Sequence, residues 1–300
     1  FMMIRHLKFA SLMLLFIVFV SITPDDAGAR RHAGVASGDT TKIGKDSLSV
    51  KKDSVKFFLA DTLRHLPNLA FSGGEFLRFD VNYGFVTAGE AIMRITDTLY
   101  AHNRKCFKID FSVNTKPFFD LVYKVRDRYR TIVDAEGLFP WRFEQHIREG
   151  GYTRDFTADF DQINHVAKTS EGDHLIPAYV HDIMSAFYFS RTIDYANYTP
   201  GQKIHLQNFY KDSTYELDVR FKGRQEIEVD AGTFKWVVVE PLAREGGLFK
   251  SEGRVYVWLT DDDRKMPVKV SSKIVIGSID SDLIEYRGLN GPLSARIAGD

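Results

Sequence analysis

The chain has 300 residues, of which 44% are hydrophobic and 27% charged, a globular composition with enough apolar matter for one large core or two modest ones. Lys and Arg total 40 and Asp and Glu total 40, so the whole chain has no net basic field to gather nucleic acid or an anionic membrane at long range. The single cysteine, Cys106, excludes an intramolecular disulfide.

In chain order, Arg5 and Lys8 precede an apolar run from Phe9 to Ile22, and Ala27-Gly28-Ala29 supplies a small-x-small cleavage pattern. Residues 1–29 are therefore predicted to be a secretory signal peptide. An anchoring helix is the competing reading, but about 14 residues at ~1.5 Å rise reach about 21 Å, short of the roughly 30 Å hydrocarbon core. Cys106 lies too far downstream to carry an N-terminal lipid, so the expectation is an exported, periplasmic protein that touches membrane only through the uncleaved segment. Residues 30–66 are polar, rich in Ser, Lys, Gly and Asp, and lack periodicity, which predicts a disordered leader with a short helix over 59–69 ending near Pro67.

The β domain is expected over 67–289. Leu77, Phe79, Val81 and Tyr83 alternate with Phe76, Arg78, Asp80 and Asn82, the period of a strand with one buried face. Ala91, Met93 and Ile95 repeat the pattern, closing a hairpin through 84–89, and Phe107, Ile109, Phe111 and Val113 continue an antiparallel meander. After an apolar bend at Pro117-Phe118-Phe119, Tyr123, Val125, Asp127, Tyr129, Thr131 and Val133 share one face, which sets Asp127 among aromatic residues. Arg126, Arg128 and Arg130 line the opposite face, either as an anion-binding stripe or as an outer surface paired with residues such as Glu144. Trp141, Phe143 and Ile147 point inward on the next strand, Glu149-Gly150-Gly151 reads as a turn, and Arg154 falls on the apolar face of Tyr152, Phe156, Ala158 and Phe160.

The period changes over 179–192, where Val180, Ile183, Met184 and Phe187 form a helical stripe continued by Tyr188 and Arg191. That helix is either core or a lid over a concave sheet. Strand patterns then resume from Lys203 to Arg287, and residues 290–300 are expected to be a loose tail. The fold predicted is mainly all-β, a curved antiparallel sheet or open half-barrel with one inserted helix.

Hydrolase elbows, phosphate loops, dinucleotide fingerprints and paired-cysteine motifs are absent from the sequence. His174, His181 and Asp182 are the nearest approach to a metal cluster, but Asp182 more naturally supports the N-terminal dipole of a helix start, and Asp261-Asp262-Asp263 lacks the glycine and distal glutamate of a calcium loop. No catalytic residue, metal ligand or cofactor is assigned. The inward polar and aromatic positions make Asp127, Tyr129, Trp141, Arg154, Met184 and Phe187 the ligand-binding candidates. The segments GGEFLRFDVNYGFVTAGEA, HDIMSAFYFSRT, YTPGQKI, VDAGTFK and VYVWLTDDDRKMPVKV, in this order over about 72–288, resemble the exported bacterial family of unknown function numbered 3108. That resemblance implies an exported location and a β architecture, and no reaction. VWLTDDDRKMPVKV is more faintly similar to a hairpin of periplasmic lipoprotein carriers, in which a curved half-barrel holds acyl chains. The reading that follows is a non-enzymatic module binding a lipid or other apolar ligand. The alternative is a structural or protein-interaction component of the cell envelope.

Overall fold

A computed structural model describes residues 63–230, 232–243, 255–273 and 277–297. The predicted signal peptide and most of the predicted leader lie outside the described residues.

Strands β1 (Phe76–Tyr83), β2 (Val86–Ala101) and β3 (Arg104–Thr115) form the expected meander. A single helical turn, α1 (Pro117–Asp120), leads into β4 (Arg126–Asp134), β5 (Pro140–Glu149), β6 (Tyr152–Asp161), β7 (Val166–Thr169) and β8 (Gly172–Leu175). Helix α2 (Ile183–Ser190) then precedes β9 (Lys203–Tyr210), β10 (Ser213–Val229), β11 (Gly232–Ala243), β12 (Val255–Thr260), β13 (Pro267–Lys273), β14 (Ser278–Arg287) and β15 (Arg296–Ile297). One antiparallel sheet runs β8-β7-β6-β5-β4-β3-β2-β1-β14-β13-β12-β11-β10-β9, with β15 added to β11. The centre of this order is β1, which pairs β2 on one side and the distant β14 on the other. Within β1, Leu77, Phe79 and Val81 are buried and Arg78 and Asp80 are half-buried, as the alternation requires.

Register shifts in the pairs of β1, and between Ile132 and Val133 and between Phe221 and Gly223, mark bulges, and bulges sharpen twist and curl a sheet. The sheet is not closed into a barrel, since β8 and β9 do not pair. Its two edges nonetheless approach through side chains: the His174 ring of β8 lies 5.8 Å from Phe209 of β9, and Phe160 of the nearby β6 stands edge-on to Phe209 at 5.9 Å.

The enclosed face is filled. One apolar cluster extends from Leu77, Phe79 and Met93 through Phe111, Phe143 and Phe156 to Phe221, Val239 and Leu283, with α2 packed inside against β4 and β9. The Asp182 carboxylate caps α2 by accepting from the backbone N–H of Met184 and Ser185, and its second oxygen accepts from the Thr131 hydroxyl at 2.7 Å.

Several expectations change here. The helix spans eight residues rather than 179–192, because His181 is already engaged with β9 backbone through its own N–H and C=O. It is buried on most sides, so no narrow stripe exists: Tyr188 is fully buried whereas Phe187 is only half-buried. No helix is present over 63–69. Residues 63–66 carry no regular secondary structure and pack on the domain, with Leu63 buried and the Arg64 guanidinium 4.4 Å above the Tyr179 ring. The tail is docked through 297: Ala295 is buried, its N–H donates to Asp262, and β15 pairs β11. Two helices are present among the described residues instead of one.

Candidate ligand site at one rim of the sheet

Strand pairing brings three connections to one end of the sheet: the β1–β2 turn at 84–85, the β3–β4 connection at 116–125 and the β5–β6 turn at 150–151. Just inside this rim, register sets the polar residues of the enclosed face side by side. Asp127 lies opposite Val113, Tyr129 opposite both Phe111 and Gln145, and Arg154 opposite Ile147, while Val125 bridges Glu149. Asp127 and Gln145 are 0% exposed, Tyr129 3% and Glu149 4%.

Asp127 Oδ1 accepts the backbone N–H of Arg148 at 2.7 Å. Its carboxyl also meets that of Glu149; burial raises Asp127 above its ordinary value, and burial with the negative charge of Asp127 pushes Glu149 up to about 9. Asp127 Oδ2 and Glu149 Oε1 have no hydrogen-bond partner from the chain. Tyr123 lies over this pair: its ring stands where a side chain on Gly150 would project, at 2.8 Å, and burial followed by the two carboxyls raises its phenol to about 12.

Arg154 does not pair with Asp127. Its guanidinium donates to Glu171 at 3.0 Å and reaches the Tyr210 hydroxyl at 3.5 Å across the sheet's open seam, over the rings of Phe156 and Tyr210. The Tyr129 hydroxyl faces the Gln145 amide without completing a hydrogen bond of normal geometry, and burial raises that phenol strongly. Among the described residues, 14 buried side-chain polar atoms lack a partner, and six of them belong to Asp127, Tyr129, Gln145, Glu149 and Arg154. Native cores leave few such atoms, and each costs about 1–3 kcal/mol, so their concentration in one place is the feature to explain.

Of the six residues selected from sequence, Asp127, Tyr129 and Arg154 come together here. Trp141 does not: it belongs to a separate cluster with Leu63, Cys106 and Phe139, donates to Asp134 at 3.2 Å and stacks on His102. Met184 and Phe187 lie on α2 in the main core and bring no polar group to the cluster. Glu149 and Gln145 were missed, although the Trp141-Phe143-Gln145-Ile147-Glu149 alternation carries both to the inner face.

Other buried charges serve the fold. Arg191 is fully buried, bidentate to Glu75 at 2.7 Å on each arm, and also donates to the carbonyls of Ala70, Arg264 and Lys265. Arg104 pairs Asp134 at 2.6 Å. On the outer face Arg126 meets Asp120, and Arg130 meets Asp110 and Glu144, so these arginines follow the outer-surface reading. Asp262 accepts from Thr260 and from the N–H of Arg264 and Ala295, organising its turn. No cluster suited to a metal ion occurs among the described residues, and none of their helices is long and apolar enough to cross a membrane.

The rim itself is apolar and exposed. Phe85 is fully exposed, Phe118, Leu121 and Val122 are 73%, 84% and 80% exposed, and Val86 and Tyr152 are exposed beside them.

The chain belongs to the family of proteins of unknown function designated DUF3108, which it matches over residues 78–284. No curated protein matches it. Among solved structures, a β-barrel-like DUF1849 protein from Brucella abortus is similar at 9% identity, covering 72% of this chain and 98% of that one with a TM-score of 0.48. A candidate exported protein with a YmcC-like fold from Bacteroides fragilis is similar at 11% identity, covering 75% and 100%, TM-score 0.35. A candidate lipoprotein from Parabacteroides distasonis is similar at 9% identity, covering 73% and 97%, TM-score 0.30.

Proposed function

We propose that this DUF3108 member is an exported, non-enzymatic module that holds one amphipathic ligand at the rim of its curved sheet. The polar head sits among Asp127, Tyr129, Gln145, Glu149 and Arg154, and the apolar tail lies along Phe85, Phe118, Leu121 and Val122. The observation that carries this reading is the concentration of orphaned buried polar atoms beneath an exposed apolar rim. The filled core supports a ligand bound at the rim and disfavours an acyl chain threaded along the sheet.

The chemistry of the cluster narrows the head. Tyr129 and Gln145 each both donate and accept, Arg154 Nε donates, and the two carboxyls, both raised by burial, add hydrogen-bonding oxygens rather than a cationic site. A neutral head bearing hydroxyls or amides, such as that of an acylglycerol, complements this set better than a free carboxylate does.

Titration with a pyrene-labelled monoacylglycerol tests the reading, comparing the native chain with the Tyr129→Phe, Gln145→Leu double variant. Loss of the head contacts should weaken binding about tenfold or more, while removal of orphaned polar groups should leave stability unchanged or raised. Equal binding by the two proteins, or no binding by either, would overturn it.

A further inference from the structure

The apolar rim has a second property that the ligand proposal does not use. Its most exposed side chains stand on two separate connections, Phe85 and Val86 at the β1–β2 turn and Phe118, Leu121 and Val122 around α1. The two connections adjoin, because the N–H of Lys116 donates to the carbonyl of Ala88 at 2.9 Å. Tyr83, Tyr123 and Tyr152 are set one step behind these side chains, two of them exposed and one half-buried. Charge follows the same arrangement. Of the acidic groups nearest them, Asp120 is held by Arg126 at 2.5 Å and Asp80 lies 3.6 Å from Lys116, while Lys124 is exposed with no ion pair among the described residues.

Exposed Phe, Leu and Val, a tyrosine belt behind them and flanking lysines match the depth profile of a bilayer interface: apolar side chains in the acyl boundary, amphipathic rings at headgroup level, cations among the phosphates. We infer that this rim docks on an anionic lipid bilayer, inserting Phe118, Leu121, Val122 and Phe85. This orients the buried polar cluster toward the membrane surface, and it holds whether or not the cluster takes a ligand.

The test places an environment-sensitive NBD label at a cysteine introduced by Phe118→Cys in the full chain, and separately by Tyr100→Cys at the opposite end of the sheet. Both positions are exposed, and Cys106 is buried with its thiol pushed up to about 12 by burial, so labelling is selective and folding is spared. With vesicles of phosphatidylcholine and phosphatidylglycerol in equal parts, emission from position 118 should shift to the blue and rise severalfold, while position 100 stays aqueous. Phosphatidylcholine vesicles alone should give a response several times smaller at 118. Because the reading is local, attachment of the chain by its N-terminal apolar segment does not imitate it. An aqueous label at 118 in the presence of vesicles, an equal response at both positions, or quenching at 118 only by an added protein would overturn the inference.

Discussion

Glu149 ends β5 directly before the glycines of the β5–β6 turn, which hides it in the sequence: Glu-Gly-Gly reads as a solvated turn, yet the parity of β5 carries this side chain inward to Asp127. Asp127 and Arg154 were legible as inward charges because alternation alone decides that. Their partners were not legible, since partners depend on register between strands. The consequence is a pH dependence with a definite sign. The folded chain raises both carboxyls, so it binds more protons than the unfolded chain above the ordinary carboxylate range. The pair's contribution to stability should therefore be fully present at and below that range and be lost as pH rises toward the raised values. Glu149→Gln removes one of the two raised carboxyls while keeping a donor beside Asp127. It should stabilise the protein at neutral pH by about 1–3 kcal/mol and flatten the alkaline decline, as read by denaturant unfolding across pH. Arg191 and Glu75 behave differently, being fully paired. Arg191→Met alone should cost about 3–5 kcal/mol by stranding Glu75, and Glu75→Leu made together with it should cost less than the single change.

At the scale of elements, α2 shows where periodicity misleads. Apolar residues at 180, 183, 184 and 187 suggest a stripe, but a helix enclosed by a curled sheet has no solvent face to define one. The side chain that matters most is Tyr188, edge-on to Phe71 at 4.8 Å and stacked beneath Arg191. Tyr188→Ala should cost about 3–5 kcal/mol, whereas Phe187→Ala, at a half-buried position, should cost about 1 kcal/mol. Thermal or denaturant unfolding of the two variants decides the order, and a larger loss at Phe187 would restore the stripe. Asp182 was legible as an acidic residue favouring the helix start, but with the helix expected from 179 its role as the N-cap was not, because the start is set by the His181 contacts with β9. The docking of residues 63–66 and 290–297 was not legible either, since short polar or mixed segments acquire order from the groups they meet: Glu136 and Tyr179 for one, Asp262 and β11 for the other.

For the whole molecule, two meanders grow from β1 in opposite directions, and their curl brings β6 and β9 within aromatic contact without joining β8 to β9. The alternating strands make the curved antiparallel sheet legible from sequence. The β1–β14 pairing, made between residues some 200 positions apart, and the bulges that set the curvature are not, because neither leaves a local pattern. The cluster of orphaned polar atoms sits near the seam this curvature creates, and the account stands on what satisfies those atoms. The most direct measurement is solvent extraction of the protein purified from cell envelopes, followed by mass spectrometry, alongside the Tyr129→Phe, Gln145→Leu variant prepared identically. The account predicts one amphipathic lipid class with a neutral hydroxyl or amide head, recovered from the native chain and depleted from the variant. Recovery of no lipid from the native chain, or of the same lipid in equal amount from both, would contradict it.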